Sequence, residues 1–239
     1  MSNNPPMYKL MGMEVSPYTA KVRAYLDYKK INWAWLPRNL KTEKVFQKHA
    51  QVQLIPMLFL PDGSAMQDST LIMEYLEQQH PDPAIHAENP ALYFISALLE
   101  EFGDEWCNKL MFFQRWFAKA DQLATGKRIA AAMLEGQWFR PIAQPLMARL
   151  IVRRMIPRLS FAGANPTNIP HLQRSFESVV TQLDLHFANR HYLLGARPCF
   201  GDFGLWGNLY QAWSDPTAGA YMNTHTPNLV AWIKRMQAP

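Results

Sequence analysis

The sequence predicts an α/β domain of order βαβαββα followed by an all-α helical-bundle domain, and three observations carry the prediction. Up to His80, short apolar runs punctuated by Pro, Gly, Asp and Ser alternate with segments of helical period. From Pro81 to Pro90 the chain reads Pro-Asp-Pro-Ala-Ile-His-Ala-Glu-Asn-Pro, whose prolines forbid regular structure and mark a connector. Beyond Pro90 the apolar residues step by three and four, and no strand pattern competes. The expected domains are residues 1–80 and 91–239, joined by a linker over 81–90.

Each element follows from its residues. Tyr8 to Met13 is short, apolar and bounded by Pro6 and Ser16-Pro17, which suits a buried strand that ends at a helix start. Ser16 can serve as N-cap with Pro17 in the first helical position, and Tyr18, Val22, Tyr25 and Leu26 then recur at helical spacing. Ile31 to Leu36 alternates loosely around Trp33 and Trp35 and stops at Pro37, as a second strand does. Thr42 to His49 reads as a short helix. Ile55 to Leu60 then enters the turn Pro61-Asp62-Gly63 and returns at Ala65-Met66, giving two antiparallel strands. Asp68-Ser69 supplies cap chemistry for a helix whose Leu71, Ile72, Tyr75 and Leu76 form one apolar face.

In the second domain, Leu92, Ile95, Leu99, Phe102, Trp106, Leu110, Phe113 and Phe117 predict one long helix. A second stripe runs through Leu172, Phe176, Val179, Val180, Leu183 and Phe187, and a third through Leu229, Trp232, Ile233 and Met236.

Composition excludes several classes. A net charge of +5 over 239 residues is too mild for the concentrated positive field of a nucleic-acid binder. Cys107 and Cys199 stand far apart in no metal-ligand spacing, so neither a disulfide framework nor a metal site is expected. Met1 to Pro6 lacks the basic start and apolar run of a signal peptide, and no apolar stretch reaches membrane-spanning length. A cytoplasmic protein is expected.

Four pieces in order, Ser16-Pro17-Tyr18-Thr19 after the first strand, Ile55-Pro56 before the third, Asp68-Ser69 opening the third helix, and Gly201-Asp202-Phe203 after Leu193-Leu194-Gly195, give a further reading. In these the sequence resembles the glutathione transferase superfamily over nearly its whole length. The resemblance implies a thioredoxin-like first domain that binds glutathione and a helical domain that builds most of the second-substrate pocket. It implies a homodimeric enzyme of the serine type, with glutathione as co-substrate and no other cofactor. Such an enzyme conjugates the glutathione thiolate to a small hydrophobic electrophile or reduces a peroxide. A non-catalytic binding or scaffold protein on the same fold is the alternative.

The chemistry sets requirements that residues can meet. A free thiol of pKa near ~8.5 is only a few per cent ionised at neutral pH, so a donor must stabilise the anion. A hydroxyl at a helix amino terminus does so, and Ser16 fits; as a plain N-cap it contributes about 1 kcal/mol, and the two roles are compatible. Tyr18 and Thr19 are alternatives. No cysteine stands in this segment, so thiol-disulfide exchange lacks its nucleophile.

By resemblance, Pro56 is a cis-proline that turns the backbone of Ile55 toward the cysteinyl part of glutathione, pairing it like an added strand. Asp68 pairs with the γ-glutamyl ammonium and Ser69 receives its carboxylate; plain capping is the simpler role for both. At the glycine end, Leu54 stands where relatives place a lysine or glutamine, and Lys41, His49 and Gln53 are near enough in sequence to substitute. Tyr18, Trp106 and Phe113, with Trp116 and Phe117, are candidates for an apolar second-substrate pocket, although helix burial alone explains a three-four stripe.

Two features lie outside this scheme. Lys127 to Arg158 carries seven basic residues against one acid, Glu135, interleaved with Met147, Leu150, Ile151 and Met155. A solvated helix face explains such a segment, and anionic lipid or an acidic partner is the other reading. Cys199 occupies the position of a capping Ser or Thr, which leaves Asp202 alone to cap the helix over Asp202 to Trp213.

Overall fold

The computed structural model describes residues 7–237; the amino-terminal segment read above for a targeting signal lies outside the described residues. The first half contains β1 (Tyr8–Gly12), α1 (Pro17–Tyr28), β2 (Trp33–Pro37), α2 (Glu43–His49), β3 (Met57–Phe59), β4 (Ala65–Gln67) and α3 (Ser69–Gln79). Its sheet has the order β2-β1-β3-β4, with β1 and β2 parallel and the other pairs antiparallel. In register, Tyr8 faces Trp33, Leu10 faces Leu58, and Leu58 faces Met66. The βαβαββα order and the helical second half agree with the sequence prediction.

β2 begins two residues later than the pattern suggested, for a local reason. Ile31 still belongs to the end of α1: its N–H donates to the Leu26 carbonyl after Lys30 takes a positive φ of 53°. α2 begins at Glu43, one residue later than read, with Thr42 at the N-cap position and its hydroxyl donating to the Pro37 carbonyl at 2.5 Å.

The second half contains α4 (Pro90–Phe102), a π-helical turn (Gly103–Cys107), α5 (Asn108–Phe117), α6 (Lys119–Met133), α7 (Arg140–Met155), a 3-10 helix (Ile156–Ala162), α8 (Ile169–Phe187), α9 (Phe200–Trp213), α10 (Pro216–His225) and α11 (Pro227–Arg235). The stripe predicted as one helix is therefore divided. The π turn admits an extra residue and shifts the face of α5 relative to α4, so Leu110, Phe113 and Trp116 are buried while Leu92, Ile95 and Phe102 of α4 stay exposed; Trp106 in the turn and Phe117 at the end of α5 are exposed as well.

α9 is the axis of this half, with Phe203, Leu205, Trp206 and Leu209 all buried. Small residues let its neighbours approach. A Cβ on Gly103 would lie 2.5 Å from the Gly204 carbonyl carbon, so the π turn and α9 cross where neither carries a side chain. A Cβ on Gly207 would lie 2.6 Å from the Pro17 carbonyl oxygen, which puts α9 directly against the first turn of α1.

The start of α9 corrects the expectation for Cys199. Cys199 is the N-cap and completes a reciprocal box: its sulfur faces the Asp202 N–H, and the Asp202 carboxylate accepts from the Cys199 N–H at 2.9 Å. Burial pushes both thiols, Cys107 and Cys199, up to about 12. No helix among the described residues is long and apolar enough to cross a membrane.

Candidate functional site

A cleft of about 720 Å³ opens between the sheet-bearing half and the π turn, within the usual size of small-molecule sites. Tyr18 comes from α1, Leu54, Ile55 and Pro56 from the approach to β3, Gln67 to Leu71 from the β4–α3 junction, and Glu101, Asp104 and Glu105 from the second half.

The Ile55-Pro56 peptide bond is cis. Neither the N–H nor the C=O of Ile55 has a hydrogen-bond partner among the described residues, so this edge presents an unpaired donor and acceptor to a ligand. The loop before it is held by Gln67, whose amide donates to the carbonyls of Val52 (2.9 Å) and Leu54 (2.7 Å) and accepts from the Gln51 N–H at 2.8 Å. Sequence reading missed Gln67, since a glutamine ending a strand has no local signature for this role.

Asp68 caps α3 through one carboxylate oxygen, Oδ1, which accepts from the N–H groups of Thr70 (2.9 Å) and Leu71 (3.2 Å). Oδ2 takes part in no hydrogen bond among the described residues, and the residue is exposed in the cleft at a positive φ of 79°. A non-glycine residue in that region costs on the order of 1–3 kcal/mol, and such residues cluster at active sites and ligand clamps. Ser69 follows as the first residue of α3 and is buried.

At the start of α1, the Ser16 oxygen accepts from the Thr19 N–H at 3.2 Å, the predicted cap. Its own hydroxyl proton has no acceptor among the described residues. Ser16 is half-buried and is not one of the residues lining the cleft; Tyr18, further along α1, is. Of the two alternatives, Tyr18 is committed to a hydrogen bond and Thr19 is buried with its hydroxyl unpartnered among the described residues. The Tyr18 hydroxyl donates to the Asp104 carbonyl at 3.0 Å, and burial raises its pKa. Thr19 is buried against Gly12 of β1, facing the sheet.

The loop that delivers Ser16 is pinned from the second half, which no local pattern foretells. Arg115, buried and paired with Asp215 at 2.7 Å, donates to the Val15 carbonyl at 2.8 Å. Gln211 donates to the Glu14 carbonyl at 2.8 Å. Beneath the cleft, Lys21 is wholly buried and binds Asp104 Oδ2 at 2.7 Å, the Glu100 carboxylate, and Thr70 Oγ1 at 3.1 Å. Burial still holds the Asp104 carboxyl up to about 6 against the pull of that ammonium.

Several expected site residues are placed elsewhere. Lys41 and Gln53 do not line the cleft: Lys41 lies against Gly136 in the α6–α7 loop, and Gln53 exchanges side-chain bonds with Gln47 at 2.9 Å. His49 stands against Phe59, its ring bonded to the Val45 carbonyl. Phe113 is core, stacked on Phe117, because the π turn rotates it inward. Trp106 bonds Ser175 through its indole nitrogen at 3.1 Å and does not line the cleft.

Residues 10–84 match the family model described as "Glutathione S-transferase, N-terminal domain". This stretch of the chain is similar to a glutathione S-transferase N-terminal domain. Over 72 residues, 29% of this chain and 30% of the relative, it is 35% identical to "Probable glutathione S-transferase BZ2" of Zea mays. The curated relatives it matches are spanned over less than half of their length, 30% and 46%. Among solved structures, a glutathione S-transferase of Methylobacterium radiotolerans in complex with glutathione sulfonate aligns over 97% of this chain and 90% of its own, at 22% identity and a TM-score of 0.60. The beta-etherase LigF of Sphingobium aligns over 98% and 96%, at 19% identity and a TM-score of 0.66. The chain as a whole therefore has the glutathione S-transferase fold. Its N-terminal domain contributes Tyr18, Ile55, Pro56, Asp68 and Ser69 to the cleft.

The cleft is acidic. Asp68, Glu101, Asp104 and Glu105 face it and no lysine or arginine does, so the mild positive charge of the chain is not expressed there.

Proposed function

We propose that this chain is a glutathione transferase that binds glutathione in the cleft and activates its thiol at the start of α1. The unpaired N–H and C=O of Ile55 carry the reading, since they match the backbone of an extended peptide laid beside β3. The free Oδ2 of Asp68 faces the γ-glutamyl ammonium, and Ser69 at the α3 amino terminus receives the neighbouring carboxylate. Tyr18 donates its proton to Asp104 and the unpartnered Thr19 hydroxyl is buried against Gly12, which leaves the half-buried Ser16 as the hydroxyl placed to donate to sulfur. The thiolate attacks an electrophilic carbon of a hydrophobic substrate, whose leaving group departs with the bond's electron pair, or attacks a peroxide oxygen. Attack on the peroxide breaks the O–O bond and releases an alkoxide that takes up a proton, after which a second glutathione thiol reduces the sulfenic acid to the disulfide and water. No metal or redox cofactor enters the scheme.

Ser16→Ala should lower kcat/KM for a model electrophile about a hundredfold, the usual cost of removing one donor to a developing anion. Glutathione affinity should change only a few-fold, because the Ile55 and Asp68 contacts remain. Equal turnover of the two proteins would remove Ser16 from the mechanism.

A second reading, a non-catalytic binding protein, is favoured by the acidic lining and by the exposed Leu54 where a cation would meet the glycine carboxylate. Glutathione binding without turnover in the unaltered protein would select it.

Homodimerisation belongs to the proposal. α4 leaves Leu92, Tyr93, Phe94, Ile95, Leu98 and Phe102 exposed, a contiguous apolar surface that association would cover. Leu98→Glu should halve the mass seen by sedimentation velocity; an unchanged mass would exclude this face.

A further inference from the structure

Most basic residues of the α6–α7 hairpin and the 3-10 helix that follows have no counter-charge among the described residues. The segment Lys127 to Arg158 holds seven basic residues and one acid, so it alone accounts for more than the +5 of the whole chain. Arg128 is spent on Asp215. None of Lys127, Arg140, Arg149, Arg153, Arg154 and Arg158 forms an ion pair among the described residues.

The outer face of α7, which carries Arg149, Arg153 and Arg154 of these, is also apolar, which a plain solvated helix is not. Ile142, Leu146 and Leu150 recur every four residues on the outer side of α7 and are 82%, 62% and 56% exposed; Trp138, four residues before Ile142, is 88% exposed. Arg149 and Arg153 fall among these residues by helical spacing, and Arg154 lies at the edge of the stripe. On the opposite side Ala148 is buried and Val152 half-buried, where α7 packs on α6 at Gly126. Beside the exposed face a groove of about 570 Å³ opens between the helices, walled by Leu123, Pro145, Val152 and Ile156 and flanked by Lys127, Arg149 and Arg153.

We infer that the outer face of α7 is a peripheral docking surface for an anionic lipid bilayer. The helix lies in the interface plane, with Ile142, Leu146 and Leu150 entering the acyl boundary and Trp138 at headgroup depth, where indoles concentrate. The arginines extend their chains along this apolar surface and place their guanidinium groups among lipid phosphates. Charge complementarity selects the occupant: a second copy of this face would bring unpaired arginines against arginines, whereas a phosphate layer supplies counter-charge to each. No described helix can span a bilayer, so the attachment is to one leaflet. The inference is independent of the glutathione reading, since the hairpin shares no lining residue with the cleft.

Flotation of the full chain with vesicles tests it. Binding is expected to phosphatidylglycerol–phosphatidylcholine vesicles, at least tenfold weaker binding to pure phosphatidylcholine, and release by high salt. Each buried charge contact is worth about fivefold in partitioning, so Arg149→Ser with Arg153→Ser should reduce binding more than tenfold. Ile142→Glu with Leu146→Glu should abolish it, and circular dichroism should show an unchanged fold because these side chains are exposed. No binding to either vesicle, equal binding to both, or an altered sedimentation mass in the Ile142→Glu, Leu146→Glu protein without any loss of vesicle binding would overturn the inference. Glutathione turnover serves as an independent readout and should not respond to these substitutions.

Discussion

Lys21→Met is expected to lower the free energy of unfolding by roughly 3–5 kcal/mol, a large share of the 5–15 kcal/mol that holds a typical domain. The lysine is buried between two carboxylates, Glu100 and Asp104, with Thr70 completing its shell. Removing it leaves two like charges in a low-dielectric space with no counter-charge, and at least one must take up a proton. The change acts across the molecule, because Lys21 and Thr70 belong to the sheet-bearing half and the carboxylates to α4 and the π turn. Urea denaturation measures it, and adding Glu100→Gln should recover part of the loss. An unchanged midpoint in Lys21→Met would show that the carboxylates are already neutral.

The same titration has a sign that can be checked. The Asp104 carboxyl is held up to about 6 by burial, above its value in an unfolded chain. The folded chain therefore binds this proton preferentially, so the contribution is complete below about pH 4 and is lost as pH rises through the folded value. Asp104→Asn should flatten the decline in stability between those limits.

Asp202→Ala should be almost as damaging, with a fall in Tm of roughly 10 °C for a chain of this size. The carboxylate is wholly buried and accepts from Leu193 N–H at 3.1 Å, Cys199 N–H at 2.9 Å and Trp232 Nε1 at 3.0 Å. Each donor left without a partner costs about 1–3 kcal/mol, and none can reach water without opening the junction of α9 with α11. Cys199→Ser should leave Tm nearly unchanged, since a hydroxyl fills the same place in the box. A small effect of Asp202→Ala in thermal melts would mean that the junction relaxes enough to admit solvent.

What was legible in the sequence was local. Ser16 and Asp68 announce themselves as caps because the acceptor lies within three residues of the N–H groups that it serves, and the structure places both as caps. The turn at Pro61-Asp62-Gly63 and the stripes of α8 and α11 are local in the same sense. The π turn was not legible, because nothing in Gly103-Asp104-Glu105-Trp106-Cys107 distinguishes it from a continuing helix until Gly204 is brought against Gly103. Lys21 sits between Ala20 and Val22 like any surface lysine, and its burial is set by α3 and α4 arriving from elsewhere. Arg115 and Gln211 escaped for the same reason, being remote in sequence from the Val15 and Glu14 carbonyls that they hold. The glycine-end candidates Lys41 and Gln53 rested on proximity along the chain alone, and neither lines the cleft.

The contact of Gly207 with the Pro17 carbonyl has a consequence for engineering. Even a single methyl group at that position would act as a wedge, levering the opening turn of α1 off its support and carrying the Ser16 hydroxyl with it. The seat of the proposed sulfur anion is thus machined by a residue near the far terminus. A fragment trimmed to the amino-terminal half would keep the hydroxyl and lose the anvil that sets its aim.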